Sequence, residues 1–152
     1  MRQRFPIKLI LACVAAGILS GAALKARTEE PATASPSLAR DSRLFEMRTY
    51  YAAPGKLEAL HARFRDHTNR LFRKHGMTLV GYWVPRDKEK GAENTLVYIL
   101  AHADRAASEK SWKAFIDDPE WKAAHKASEV DGKLVDKIES VYLNATDYSP
   151  IK

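Results

Sequence analysis

Between Arg43 and Tyr148 the repeat of apolar residues switches between two and about 3.6, and the order of those switches is what most limits the folds open to this chain. Phe45, Met47, Thr49 and Tyr51 alternate with Glu46, Arg48 and Tyr50, the pattern of a strand over 43–51. Pro54 and Gly55 end it. Over 54–75, Leu57, Leu60, Phe64, Leu71 and Phe72 recur on one helical face, predicting a single amphipathic helix stopped by Gly76. Strands follow at 78–84 and 94–102, separated by Pro85 and a charged turn with Gly91. A second helical region at 104–127 breaks at Asp117-Asp118-Pro119, where Pro119 suits the first turn of a new helix. The last strand, 137–145, comes after Asp131-Gly132. The order β-α-β-β-α-β predicts an α+β, ferredoxin-like sandwich with helices on one face of a four-stranded antiparallel sheet. Leu44, Glu46, Arg48 and Tyr50 are assigned to the other face, which is too aromatic to stay wet. A second copy of the chain is the simplest cover, with Glu46 and Arg48 as an ion-paired element of that interface.

Two segments of different character precede that pattern. Arg2, Arg4 and Lys8 lead into the uncharged run Leu9–Leu24, which ends in small residues; this is the pattern of a secretory signal peptide over 1–26, with cleavage expected near Ala23 or Ala26. The apolar run is short for a membrane span and contains Gly17 and Gly21, so a retained anchor is the weaker alternative. A lipoprotein leader built on Cys13 would leave too little apolar core before the cysteine. Residues 27–42, with Pro31 and Pro36 among Ser, Thr, Ala and Glu, read as a flexible linker. Losing residues 1–26 takes the formal charge from +6 to +2 and removes the only cysteine. Nucleic-acid binding thereby loses its compositional support. Disulfides and thiolate chemistry leave with Cys13.

Several motifs in order resemble the NIPSNAP family: Leu44-Phe45-Glu46-Met47-Arg48-Thr49-Tyr50 before Pro54-Gly55-Lys56-Leu57, then Lys74-His75-Gly76, Val80-Gly81-Tyr82-Trp83, and Asp117-Asp118-Pro119-Glu120-Trp121. The resemblance covers residues 43–149. It implies a dimeric α+β barrel, two ferredoxin-like protomers packed sheet to sheet. Its wider superfamily includes haem-degrading and quinone-forming monooxygenases and isomerases, so it carries the fold further than the chemistry. At Tyr98-Ile99-Leu100 the chain departs from the His-Leu-Trp of many relatives.

Candidate ligand contacts come in two sets. His61, Thr68 and His75 are spaced by seven residues, which on an unbroken helix places all three near the Leu57–Phe64 face and a pocket beneath it. His75 equally suits a polar role beside the Gly76 stop. Tyr51, Trp83, Tyr98, Trp112 and Trp121 supply the aromatic walls that small-molecule sites use, or else core and interface packing. Arg63, Arg65, Arg70, Arg73 and Lys74 read as a solvated helix face. No two histidines among 61, 67, 75, 102 and 125 lie three or four apart, so no metal is expected; Glu58-x-x-His61 stands without a second copy. No cofactor motif occurs, although a haem would need only one of His61, His75 or His125. Nucleophile elbows and phosphate loops are absent from the sequence. The expectation is an exported homodimer that binds a small apolar or aromatic ligand. A monooxygenase or isomerase using His75 or His61, cofactor-independent or haem-dependent, is the alternative, and a structural interaction module the third.

Overall fold

Strand β1 (Leu44–Ala52) is paired along both edges, with β3 (Thr95–His102) on one side and β4 (Val135–Asn144) on the other. β2 (Thr78–Trp83) adds to β3, giving the antiparallel order β2-β3-β1-β4. The structure, a computed structural model, describes residues 37–152; the expected leader and the first part of the expected linker lie outside them. Helical segments α1 (Leu57–Arg63), a π-helical turn at Phe64–Thr68 and α2 (Asn69–Lys74) connect β1 to β2. α3 (Arg105–Asp117) and α4 (Pro119–Ser128) connect β3 to β4. This is the α+β order expected from the sequence.

The faces of β1 are the reverse of the expected ones. Glu46 accepts a hydrogen bond from Trp112 of α3, and Tyr50 and Ala52 join the core beneath the helices. Leu44, Glu46, Arg48 and Tyr50 therefore lie on the covered face, opposite His102, Leu100, Tyr98 and Leu96 in register. Phe45, Met47, Thr49 and Tyr51 point to the open face, where Phe45 packs with Ala101, Val80, Ile99 and Leu143. Apolar content did not distinguish the two sides, because each carries aromatics. The charged pair went inside because α3 and β4 bring it enough hydrogen-bond partners to offset its desolvation.

The helical core centres on Tyr98, Leu60, Leu71 and Phe72, all essentially inaccessible. Phe72 meets Phe64, Tyr98, Trp112 and Phe115 through ring contacts with centroids 4.8–6.2 Å apart. The α1–α2 helix is not regular. Its π turn admits one extra residue, with the Asn69 N–H returning to Phe64 O, and the Thr68 hydroxyl donates to the Arg63 carbonyl at 3.2 Å. At Gly76 the chain turns at φ +80°, with the Met77 N–H closing back on Phe72 O at 3.0 Å, the expected glycine stop. Asp104 and Asp118 cap α3 and α4 by accepting from Ala107 N and Glu120 N.

The last residues assigned to the linker are held against the domain. Leu38 bridges Thr146, and the Ala39 N–H donates to Ala145 O at 3.0 Å. A tether boundary read from Pro and Ser content overshot here, because backbone pairing asks nothing of side-chain polarity. Among the described residues no helix is long and apolar enough to cross a membrane.

Candidate functional site

A cleft of about 390 Å³ opens between the helices and the β4 edge of the sheet. Tyr50 of β1, Phe64 of the π turn, Phe72 of α2, Phe115 of α3 and Trp121 of α4 give it aromatic walls. The polar side chains of its lining are Arg63, Thr68, His125, Glu129, Lys133, Asp136 and Lys137. α4 delivers Trp121 and His125 one turn apart, with rings 5.3 Å between centroids, and Trp121 is seated on Phe115 at 4.4 Å. Phe64 and Thr68, one turn apart, both face the sheet and are buried.

Arg63 is the unexpected member. Its place among Arg65, Arg70, Arg73 and Lys74 predicts a solvated side chain, yet that side chain is only 4% exposed. Nη1 donates to Glu129 Oε1 at 3.1 Å and to Ser128 Oγ at 3.3 Å, and its guanidinium lies 5.5 Å from the Trp121 ring centre. Nε is buried and finds no acceptor. Glu129 also takes the Leu134 N–H and lies 3.6 Å from His125 Nε2. Burial works against the Glu129 charge, but the Leu134 N–H and Arg63 more than compensate and hold its pKa below the ordinary value. Lys133 and Asp136 pair at 2.8 Å.

A second polar cluster lies at the far side of the core. Glu46, 1% exposed, receives Trp112 Nε1 at 2.6 Å and His102 Nε2 at 3.2 Å on Oε2. On Oε1 it receives Arg48 Nη1 at 2.9 Å and Ser140 Oγ at 2.8 Å. Burial raises the carboxyl pKa, while the bonds from His102, Trp112 and Ser140 and the Arg48 charge outweigh it, leaving the value at about 2. The Glu46–Arg48 pair expected between copies is thus real, but it sits under α3 with its acceptor capacity filled from within. This is a structural network. Nothing in the sequence around His102 marks it as a partner of Glu46, which lies 56 residues away along the chain.

The expected ligand residues are dispersed. Of them only Thr68 and Trp121 line the aromatic cleft. His61 and Trp83 line a smaller pocket of about 260 Å³ at the β2 edge, where Tyr82 donates to Asn69. Tyr98 is enclosed at the centre of the core, where burial holds its phenol well above its ordinary pKa. Trp112 is committed to Glu46, with the Arg48 guanidinium 4.1 Å from its ring centre. Tyr51 is on the open face, bonded to Glu139. His75 Nε2 meets Asp118 Oδ2 at 2.7 Å, alongside Lys74 Nζ at the same distance. That nitrogen is spent on tying α2 to the α4 cap and is not free for an iron or a substrate. The helix repeat failed for His75 because the π turn changes the phase between it and His61. Among the described residues no three His, Cys, Asp or Glu side chains gather in a metal-binding group.

The NIPSNAP family model matches residues 45–150. A NIPSNAP family protein of unknown function from Agrobacterium tumefaciens superposes with TM-score 0.66 at 22% identity, over 76% of this chain and 99% of its own. Two NIPSNAP-type proteins from Burkholderia xenovorans also match. One does so at TM-score 0.59 and 25% identity, covering 70% of this chain and 98% of the other. The second gives 0.63 and 18%, covering 73% and 91%. No curated protein matches the sequence.

Proposed function

The chain belongs to the NIPSNAP family, and on that premise we propose that it is a small-molecule-binding domain whose ligand lies in the cleft between the helices and β4. The carrying observation is the concentration of Tyr50, Phe64, Phe72, Phe115 and Trp121 around one opening of about 390 Å³ whose remaining lining is mostly polar and charged. That size is within the range of small-molecule sites, and the aromatic walls supply the packing surface such sites use, with the polar groups left to fix orientation. The reading calls for no metal or cofactor, and it assigns no reaction. Neither His61 nor His75 is on this cleft, which favours binding over acid–base chemistry by those residues.

The test is calorimetric titration with a neutral flat probe, 1-naphthamide. Binding is expected for the natural protein and is expected to weaken about tenfold or more in Trp121→Ala, since an aromatic wall contributes packing area beyond simple burial. Loss of binding in Trp83→Ala with none in Trp121→Ala would move the site to the β2 edge.

The domain is further proposed to work as a homodimer. Phe45, Met47, Val80, Ile99 and Val141 lie on the sheet face turned from the helices, and Trp83 at its edge is 51% exposed. Gly81 lets the Trp83 ring lie across the strand, for a Cβ there would come within 2.7 Å of it. A self-complementary contact with the same face of a second copy buries this surface by aligned sheet packing. Residues 1–26 are read as an export signal. The intact mass of the protein recovered from its own host tests that part, since export with processing leaves a chain beginning near residue 27.

A further inference from the structure

We propose that the ligand of the aromatic cleft is an acid, a flat molecule carrying a carboxylate or a similar planar anion that is received by Arg63. The inference rests on the cleft reading above and adds the charge and the recognition residue. Arg63 is a guanidinium 4% exposed on the wall of a cleft that five aromatic side chains also line. Its Nη1 is committed to Glu129 and Ser128. The opposite edge of the same group, made by Nε and Nη2, is the fork that accepts a carboxylate side-on with two parallel hydrogen bonds. On that edge Nε–H is buried without an acceptor, a condition that native interiors rarely tolerate unless something supplies the missing partner.

The rest of the cleft agrees with an anion. Glu129, the acid nearest Arg63, is already shared among Arg63, His125 and the Leu134 N–H. Asp136, the other acid on the lining, is neutralised by Lys133 at 2.8 Å. His125 lies on the same wall, its ring against Trp121, where it can add a donor to a bound acid. A ring between Trp121 and Phe64 with its acid group at Arg63 would satisfy both the apolar walls and the orphaned donor.

The experiment compares 1-naphthoate with 1-naphthamide, which differ in charge and hardly in shape, by calorimetric titration of the full domain near pH 7. Naphthoate is expected to bind at least about tenfold more tightly, the range of one charge-assisted hydrogen bond. In Arg63→Gln that preference is expected to vanish while naphthamide binding persists. Arg63→Lys, which keeps the charge and loses the fork, is expected to lose most of the preference. It serves as the second variant should Gln leave Glu129 unpaired and the fold impaired, with circular dichroism checking each. Equal affinities in the natural protein would overturn the acid assignment and leave the cleft standing. An undiminished preference for naphthoate in either folded variant would overturn the role of Arg63. Binding of neither probe would overturn the cleft reading and this inference with it.

Discussion

Replacing Glu46 by Gln should cost stability in a way that depends on pH, because its carboxylate is stabilised in the folded chain far more than in the unfolded one. The folded pKa is about 2 against an ordinary 4.5. A depressed acid contributes stability that is fully present above the unfolded pKa and is lost as pH falls toward the folded value. The shift corresponds to about 3 kcal/mol at neutral pH, about 2 kcal/mol at pH 3.5 and less than about 0.5 kcal/mol at pH 2. The substituted amide would also turn an N–H₂ toward donors on Arg48 or Trp112 and leave the Arg48 charge without its counter-ion, effects of the same sign. For a domain of this size about 3 kcal/mol is a fall of about 10 °C in Tm. Urea unfolding of the natural protein and of Glu46→Gln, followed by circular dichroism at pH 7, 3.5 and 2.5, measures the gap directly. Other acids titrate in both proteins and cancel in the difference. A gap that stays constant across the three pH values, or no gap at pH 7, would refute the assignment of Glu46 as a buried ion held by its partners.

Three further outcomes test other parts of the structure. Phe72→Ala removes a ring that touches four others and leaves a hole at the centre of the core, so denaturant unfolding should show a loss of about 3–5 kcal/mol; a loss below about 1 kcal/mol would mean that the core is packed differently. Asp118→Ala should release the start of α4 and the Lys74–His75 end of α2 together, seen as faster amide exchange at Glu120–Lys122 with the sheet amides unchanged. Val141→Asp, on the open sheet face and 49% exposed, should convert a species of twice the chain mass to one of single mass by light scattering at micromolar concentration; a natural protein already monomeric there would sink the dimer proposal.

Local sequence was enough for the order and nature of the elements, because period, glycine stops and proline starts act within a few residues. Phe45 to Tyr51 had to be extended, Gly76 had to end a helix, and Pro119 had to begin one. Which face of β1 went inside was settled only by the packing of the whole chain. Alternation separates two sets of side chains but says nothing about which set a distant helix will cover. Here the choice turned on partners for Glu46 that lie 56 to 94 residues further along the chain. The same holds for the site. The packing of Trp121 on Phe115 was legible from its place in the first turn of a short helix opened by Pro119. The burial of Arg63 was not, since it depends on Glu129 and Ser128 arriving from α4 and its end. A charged residue on a helix reads as solvated from local spacing, and only the meeting of elements far apart in the chain can supply the bonds that keep its charge inside.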